Sequence, residues 1–219
     1  MRRYALIVAG GTGERMKNDI PKQFIEVAGK PVLMHTIGKF KDFDESIEII
    51  VVLPENQFGF WDELKKKYSF TVPHAIVKGG DSRFLSVKNG LEAIVEEGLV
   101  AIHDGVRPLV SIDTIRRCFE TAERLGNAIP VIPVSESLRM VTGKGNEPVG
   151  RDCIKLVQTP QVFRTNLIKK AFLQEYLPEF TDDAMVIEKT GVKINLVDGN
   201  RENIKITNPE DLIIARGLL

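Results

Sequence analysis

The sequence predicts an α/β fold in which a doubly wound, mostly parallel sheet carries helices on both faces. Short, nearly continuous apolar runs rich in β-branched residues indicate strands that are covered on both sides. The clearest of them span residues 4–9, 47–53, 99–103, 128–134 and 192–197. Helical patterns alternate with these runs, which favours parallel pairing through crossover helices. We therefore expect a Rossmann-like sheet.

The helices are recognised by apolar stripes that recur at helical spacing. One stripe comprises Phe84, Val87, Leu91 and Ile94, and the other comprises Ile115, Cys118, Phe119 and Ala122. The last helix is expected to begin after Asn208, a favourable N-cap, with Pro209 in its first turn. Glu210 and Asp211 follow and complement the positive end of the helix dipole.

Size, charge and cysteine content restrict the class of protein. The chain has 219 residues, so we expect a single domain over residues 1–219. Lys plus Arg and Asp plus Glu both number 30, so the broad positive field of nucleic-acid binding is not expected. Cys118 and Cys153 match no metal spacing and favour a reducing cytoplasm. The first apolar run ends at Ala9, too short for a signal peptide or a membrane span.

Residues 135–152 interrupt the alternation of strands and helices. Their sequence, SESLRMVTGKGNEPVGRD, has turn residues in its middle and weak alternation before them. It predicts a hairpin or β-arm that protrudes from the sheet. The alternative is a plain surface loop, although loops of this length in compact domains tend to be functional or disordered.

A glycine-rich turn, AGGTGERM, follows the first strand at residues 9–16. Glycines let the backbone approach a ligand with its N–H groups turned inward, and open α/β sheets bind ligands at the carboxyl ends of their strands. A nucleotide phosphate is therefore the predicted occupant, with a tight turn that binds nothing as the alternative. The dinucleotide motif would need glycine at Met16, and the P-loop would need Ser or Thr at Pro31, so neither motif is present.

Two cations, Arg15 and Lys22, lie in this turn and just after it, with Pro21 between them. Transfer at a phosphate develops negative charge, which fixed cations stabilise. A lone Arg or Lys is usually a solvated surface residue, but the position of this pair after a phosphate-type turn favours a functional role.

A carboxylate and a lysine further along the chain fit the same chemistry. Asp104 stands just beyond the third strand, and Mg²⁺ prefers one or two carboxylates plus substrate phosphates; a turn or helix-start residue is the alternative. His103 is expected to be packed and hydrogen-bonded rather than catalytic. Lys205 lies between Ile204 and Ile206, so strand alternation directs it away from the face they share. A solvated edge lysine is the alternative there.

Taken together, these segments resemble the sugar-phosphate nucleotidyltransferases. The motifs are AGGTGERM, PKQ at 21–23, GGDSR at 79–83, HDGVRP at 103–108, QTPQ at 158–161 and NIKIT at 203–207. Their order resembles that of the 2-C-methyl-D-erythritol 4-phosphate cytidylyltransferases, from Tyr4 to the C-terminus. Position 10 is glycine where many members have alanine, and position 137 is serine where many have threonine, a change that keeps the hydroxyl donor.

The resemblance implies a role for each matching residue. The catalytic cations that flank the triphosphate would be Arg15, Lys22 and Lys205. CTP would be held by Ala9, Gly10, Gly11, Gly80, Asp81 and Ser86. The phosphate and hydroxyls of the second substrate would be held by Arg107, Ser137, Arg151, Thr159 and Thr181. Asp104 would bind Mg²⁺. Thr181 precedes two aspartates and is also a candidate helix cap.

The implied reaction transfers CMP from CTP to 2-C-methyl-D-erythritol 4-phosphate and releases pyrophosphate. A phosphate is already a nucleophile at neutral pH, so positioning and charge stabilisation suffice without a His or Cys nucleophile. Members of this family are homodimers in which the arm crosses over, which would bring Ser137 and Arg151 to the neighbouring site.

Two other functions remain open at this point. Ribitol 5-phosphate cytidylyltransferases resemble the first third of the chain, including Gly10 and Gly11, but GRD at 150–152 and TDD at 181–183 favour methylerythritol phosphate. The second alternative is a non-catalytic nucleotide-binding module, because a fold alone does not establish activity. The joint presence of Arg15, Lys22, Asp104 and Lys205 argues against it.

Overall fold

The computed structural model describes residues 1–11 and 20–219. Its strands are β1 (Arg2–Val8), β2 (Glu26–Val27), β3 (Lys30–Pro31), β4 (Glu48–Leu53), β5 (Ala75–Lys78), β6 (Gly98–Asp104), β7 (Asn127–Pro133), β8 (Leu138–Thr142), β9 (Gly145–Val149), β10 (Lys155–Val157), β11 (Gln161–Arg164) and β12 (Leu196–Asp198). Its α-helices are α1 (Val32–Phe43), α2 (Phe58–Lys67), α3 (Arg83–Glu92), α4 (Ile112–Leu125), α5 (Thr165–Ala171), α6 (Asp183–Glu188) and α7 (Pro209–Leu218). Strands and helices alternate over most of the chain, as predicted.

Within the described residues, eight strands form the central sheet. Its order is β10-β7-β11-β6-β1-β4-β5, and β12 pairs with β7. The pairs of β1 with β4 and β6, of β4 with β5 and of β12 with β7 are parallel. In contrast, β11 is antiparallel to both β6 and β7, and β10 is antiparallel to β7. The predicted doubly wound, mostly parallel sheet is confirmed, with β11 as an antiparallel insertion.

Helices cover both faces of this sheet, as the two sides of β1 demonstrate. Ala5 and Ile7 pack in one core with α1, α2 and α4, whereas Tyr4 and Leu6 pack in a second core with α3, α5 and α6. All four side chains are almost fully buried. Each large apolar side chain buried in this way contributes about 1.5–3 kcal/mol, so both faces of β1 stabilise the fold.

The predicted helices are present, and their ends follow local capping rules. Ser111 caps α4 by accepting a hydrogen bond from Thr114 N at 3.1 Å, and Gly126 ends that helix with φ at +92°. Asn208 caps α7 in a capping box with Asp211, and Pro209 is the first helical residue. The residues of both predicted apolar stripes are buried.

The predicted strand at residues 192–197 is only partly correct, because its regular part is limited to β12. The side chain of Asn127 takes the place of ladder partners there: it donates to Lys193 O at 2.9 Å and accepts from Asn195 N at 2.9 Å. The other four predicted strands correspond to β1, β4, β6 and β7.

The predicted arm is a β-hairpin. Strands β8 and β9 pair in an antiparallel ladder that runs from Leu138 opposite Val149 to Thr142 opposite Gly145. A 3₁₀ turn at Arg151–Cys153 leads from the hairpin back to β10. Met140 and Val141 are 51% and 81% exposed on the hairpin. Separately, none of the helices in the described ranges is long and apolar enough to cross a membrane.

Candidate active site

Two neighbouring cavities open at the carboxyl end of the parallel strands, where ligands of such sheets bind. The first has a volume of about 390 Å³ and the second of about 230 Å³. The first is lined by all six residues predicted to hold CTP, together with Lys22, Asp104 and Lys205. The second is lined by Arg107, Thr159 and Thr181 and shares Arg83, Asp104 and Lys205 with the first. Most of the residues predicted from the sequence are thus brought together.

A larger depression of about 670 Å³ lies at the amino ends of β1, β4 and β5. Arg2 in its wall is paired with Glu48 at 2.7 Å and Glu96 at 2.8 Å, and His74 accepts a hydrogen bond from Trp61 at 3.0 Å. Because ligands of such sheets bind at the carboxyl ends of the strands, we place the candidate site at the two smaller cavities.

The loop before α3 is shaped by its serines and glycines. Ser86 Oγ accepts from Gly80 N at 3.1 Å, and Ser82 caps α3 by accepting from Leu85 N at 3.1 Å. A Cβ atom on Gly80 would lie 2.5 Å from Leu85 Cβ, so this close approach requires glycine. A Cβ atom on Gly10 would make an ordinary contact with Ser86 Oγ at 3.7 Å. The backbone here therefore tolerates the alanine that is common at position 10.

Gln23, for which no role was predicted, joins residues 9–11 to residues 22–23, and both segments line the first cavity. Its buried side chain donates from Nε2 to Ala9 O at 2.9 Å and to Gln57 Oε1 at 2.8 Å. This contact fixes the end of β1 against the 3₁₀ turn Lys22–Phe24. The backbone of the neighbouring Lys22 is thereby held in place. The PKQ motif is the sequence signal for this contact of Gln23. Arg15, the other predicted cation of this region, lies outside the described residues.

Asp104 is a buried carboxylate surrounded by cations at the end of β6. Its Oδ2 lies 3.0 Å from Arg107 Nε and 3.2 Å from Lys205 Nζ, and its Oδ1 lies 3.9 Å from Arg83 Nε. Burial alone would raise the pKa of Asp104, but the charges of Lys205, Arg83 and Arg107 hold that pKa well below its usual range. The carboxylate is therefore ionised at any physiological pH.

This carboxylate also fits the predicted Mg²⁺ role. Asp104 lines both cavities, and its Oδ1 lies 3.9 Å from Arg83 Nε, beyond hydrogen-bond distance. Residues 1–11 and 20–219 contain no group of three or more His, Cys, Asp or Glu side chains that could hold a metal. A Mg²⁺ ion at Asp104 would therefore depend on substrate phosphates and water for its other ligands, as this ion commonly does. The metal assignment stays a prediction.

His103 is packed and hydrogen-bonded, as predicted. Its Nδ1 lies 2.9 Å from Thr159 Oγ1 and its Nε2 lies 3.2 Å from Arg107 O. Burial lowers the pKa of His103 to about 4, so the ring is neutral near pH 7. Thr159 Oγ1 also accepts from Asp104 N at 3.1 Å. The Thr159 hydroxyl therefore fixes the end of β6, in addition to lining the second cavity.

The segment that carries Lys205 is held by long-range hydrogen bonds. Ile206 N donates to Val106 O at 3.0 Å, Asn203 Nδ2 donates to Thr159 O at 2.8 Å, and Arg107 Nη1 donates to Asn203 O at 2.7 Å. The predicted direction is confirmed, because Ile206 is buried while Lys205 faces Asp104. The strand assumed for that prediction is wrong: residues 203–206 bind neighbouring loops and form no ladder.

Of the predicted substrate residues, Ser137 and Arg151 lie on the arm, and Thr181 lies just before α6. Ser137 and Arg151 are exposed and line neither cavity, and Arg151 Nη1 donates to Ser135 O at 2.8 Å within the arm. Thr181 lines the second cavity, but its predicted capping role is wrong. The cap of α6 is Asp182, which accepts from Met185 N at 2.9 Å, because its carboxylate and not the Thr181 hydroxyl lies over the open helix end.

One ion pair at the site was not predicted. Arg83 donates from Nη1 to Asp183 Oδ1 at 2.7 Å and from Nη2 to Asp183 Oδ2 at 2.6 Å. Both residues belong to motifs of the sequence, Arg83 to GGDSR and Asp183 to TDD. An Arg and an Asp at the starts of two helices were the available signal, but nothing in the sequence shows that these helices meet.

Comparison with known proteins gives consistent matches over the whole chain. The family model described as IspD, 2-C-methyl-D-erythritol 4-phosphate cytidylyltransferase, matches residues 4–219. A protein of Bacteroides thetaiotaomicron with that enzyme name is 53% identical over 219 residues, which cover 100% of this chain and 100% of the relative. A Porphyromonas gingivalis protein of the same name is 49% identical over 219 residues, which cover 100% of this chain and 98% of the relative.

Solved structures agree with these matches. The crystal structure of 2-C-methyl-D-erythritol 4-phosphate cytidylyltransferase from Thermus thermophilus has a TM-score of 0.81 and 33% identity, with 100% of this chain and 98% of that chain covered. The Francisella tularensis structure of the same name has a TM-score of 0.82 and 32% identity, with 100% of both chains covered.

Proposed function

Because the chain belongs to the 2-C-methyl-D-erythritol 4-phosphate cytidylyltransferase family, we propose that it transfers CMP from CTP to 2-C-methyl-D-erythritol 4-phosphate and releases pyrophosphate. The observation that carries this proposal is the pair of adjoining cavities. One cavity is lined by the glycine-rich nucleotide segments, the other by Arg107, Thr159 and Thr181, and both share Arg83, Asp104 and Lys205. A phosphate bound in each cavity would meet its partner at this charged boundary.

The residues at the boundary suit an in-line displacement. The phosphate of the second substrate is largely a dianion at neutral pH, since its second pKa is about 6, and it needs no general base. It attacks the α-phosphorus of CTP, the bond from that phosphorus to the bridging oxygen breaks, and the electron pair leaves with pyrophosphate. Lys205 is 42% exposed and held at 3.2 Å from Asp104, so its ammonium group is already ordered beside the reacting phosphates. Lys22 lines the same cavity and is proposed to stabilise the departing charge.

We assign Mg²⁺ binding to Asp104 as part of this proposal. The ion would supply charge neutralisation to the triphosphate when it is bound. The protein contributes the ionised carboxylate of Asp104. The backbone of this residue is fixed by the hydrogen bond from its N–H to Thr159 Oγ1, at 3.1 Å. Arg107 and Lys205 contact Oδ2 of this carboxylate, whereas the cation nearest to Oδ1 is Arg83, at 3.9 Å.

We further propose that the active protein is a homodimer in which the arm of one subunit completes the site of the other. Ser137 and Arg151 line neither cavity of their own chain. Met140 and Val141 expose apolar surface on the hairpin, and Leu156 and Val157 of β10 are 49% and 44% exposed beside it. A second subunit would cover this surface.

Cys118 and Cys153 are free thiols, which supports a location in the reducing cytoplasm.

Pyrophosphate release tests the proposed function directly. The protein is incubated with CTP, Mg²⁺ and either 2-C-methyl-D-erythritol 4-phosphate or ribitol 5-phosphate. We expect release with the first acceptor at a kcat/KM at least about tenfold higher than with the second, the effect of about 1.4 kcal/mol of differential transition-state binding. Faster release with ribitol 5-phosphate would overturn the substrate assignment. Binding of CTP without release with either acceptor would indicate a non-catalytic module.

A further inference from the structure

The Arg83–Asp183 ion pair joins the walls of the two cavities. Arg83 is the first residue of α3 and directly follows the loop that lines the nucleotide cavity. Asp183 is the first residue of α6 and closely follows Thr181, which lines the second cavity. The guanidinium contacts both carboxylate oxygens, at 2.7 and 2.6 Å. A two-point contact of this kind fixes orientation as well as distance.

The two partners differ in their access to ligands. The Asp183 side chain is only 1% exposed and lines neither cavity, whereas Arg83 is 29% exposed and lines both. Asp183 is therefore out of contact with any substrate and influences the site through Arg83. Arg83 Nε in turn lies 3.9 Å from Asp104 Oδ1. The pair thus connects a buried anchor to the boundary where the two phosphates would meet.

Each end of the pair is attached to a stiff segment. At the start of α6, Gln161 Nε2 donates to Asp182 Oδ2 at 2.8 Å, and Gln161 Oε1 accepts from Ala184 N at 2.9 Å. Gln161 belongs to β11, so this segment is fixed to the sheet. At the start of α3, the serine hydrogen bonds described above hold residues 80–86 as one unit. A shift of the nucleotide loop therefore displaces Arg83 relative to a fixed partner.

We propose that Arg83 is a positioning residue that couples the two substrate sites. A nucleotide seated against residues 80–86 holds Arg83 in the position defined by its pair with Asp183, in the wall of the second cavity, so the acceptor phosphate binds more tightly. This inference rests on the proposed function. Coupling of binding is reciprocal, so the acceptor must strengthen nucleotide binding by the same factor.

Calorimetric titration measures this factor. The dissociation constant of 2-C-methyl-D-erythritol 4-phosphate is determined with and without saturating α,β-methylene-CTP, an analogue that cannot transfer CMP. In the unmodified protein we expect the analogue to tighten acceptor binding by about 5–150-fold, the usual range of coupling between sites. In Asp183→Asn, which keeps the shape but removes the charge and one acceptor oxygen, we expect a factor below about two, while each ligand alone binds within about threefold of the original.

Two further variants separate coupling from stability. Asp183→Asn leaves Arg83 without its countercharge, so the double variant Arg83→Gln/Asp183→Asn, with a neutral amide pair, is measured beside it. We expect it to melt close to the unmodified protein and to lack coupling. The matched control is Asp44→Asn, which loses an ion pair with Arg3 at 2.9 Å far from both cavities and should keep the full factor.

Several outcomes would overturn the inference. One is a coupling factor near one in the unmodified protein. Another is an unchanged coupling factor in folded Asp183→Asn or in the folded double variant. A third is equal weakening of both ligands with the factor unchanged, which indicates a merely structural pair. Failure of the unmodified protein to release pyrophosphate from CTP and acceptor would instead refute the proposed function, so the two failures are distinguishable.

Discussion

Replacement of Asp104 by asparagine is the substitution whose effect the structure defines best. An amide oxygen at the position of Oδ2 can still accept from Arg107 Nε and Lys205 Nζ, which lie at 3.0 and 3.2 Å. The amide NH₂ then takes the position of Oδ1, where the nearest cation is Arg83 Nε at 3.9 Å. The backbone hydrogen bond to Thr159 is unaffected. The variant therefore removes charge while it preserves shape.

The charge that is lost contributes to both stability and catalysis. Coulomb's law with an effective dielectric constant of about 20 gives about 5 kcal/mol for unit charges 3.2 Å apart. Desolvation of the buried carboxylate offsets part of this, and we expect Asp104→Asn to lower the free energy of unfolding by about 3–5 kcal/mol. We expect kcat to fall by about 10²–10³-fold, as for loss of one preorganised charge contact. The Mg²⁺ concentration for half-maximal rate should rise by at least about tenfold.

Initial rates of pyrophosphate release against Mg²⁺ concentration provide the assay, with urea unfolding of the same samples. The control is Asp44→Asn, whose carboxylate also pairs with an arginine but lies away from the cavities. It should lose some stability and keep the original Mg²⁺ curve. Superimposable Mg²⁺ curves for Asp104→Asn and the unmodified protein would refute the metal assignment, even if the variant were less stable.

The same geometry gives three more predictions. Lys22→Ala should lower kcat by about 10²–10³-fold with little change in KM; a change in KM alone would mean that Lys22 only binds the ground state. Mixed Lys22→Ala and Arg151→Ala subunits should regain about a quarter of the activity if half the dimers are mixed and each has one intact site, and no recovery despite proven exchange would refute the swapped arm. His103 has a folded pKa of about 4 against an ordinary 6.5, so the unfolded chain binds the extra proton and stability falls as pH drops through this window, by about 2 kcal/mol between pH 7.5 and pH 5. Urea unfolding at the two pH values should show a smaller loss of stability in His103→Gln than in the unmodified protein. An identical loss would refute the lowered pKa of His103.

The parts of the fold that follow from local pattern were predictable. Strands such as β1 and β6 are apolar on both faces, so their sequence already shows that they are buried centrally. Strand β11 was not predictable in the same way. It is a short QVFR segment whose antiparallel place between β6 and β7 depends on pairing with distant residues. Periodicity carries no information about such partners.

The same distinction applies to the site. Motifs identified most residues of the two cavities, because a glycine-rich turn and the end of a buried strand have local signatures. The contact of Arg107 with Asp104 spans one helical-type turn and is also local. The contacts of Asp104 with Arg83 and Lys205 bring together three separate motifs. These contacts depend on the tertiary packing that brings the start of α3 and the segment before α7 to the end of β6.

The charge pattern of the site explains how a chain with a formal net charge of zero can serve highly anionic substrates. The positive charge at the cavities comes from individual side chains that carboxylates hold in place. Asp104 orders Lys205 and Arg107, and Asp183 orders Arg83. Their side chains have lost rotamer freedom on folding, before any phosphate arrives. Since Lys205 remains 42% exposed, its ammonium group can contact a phosphate while it stays paired with Asp104. The site is therefore preorganised by its own carboxylates, and its selectivity for anions is local to the carboxyl edge of the sheet.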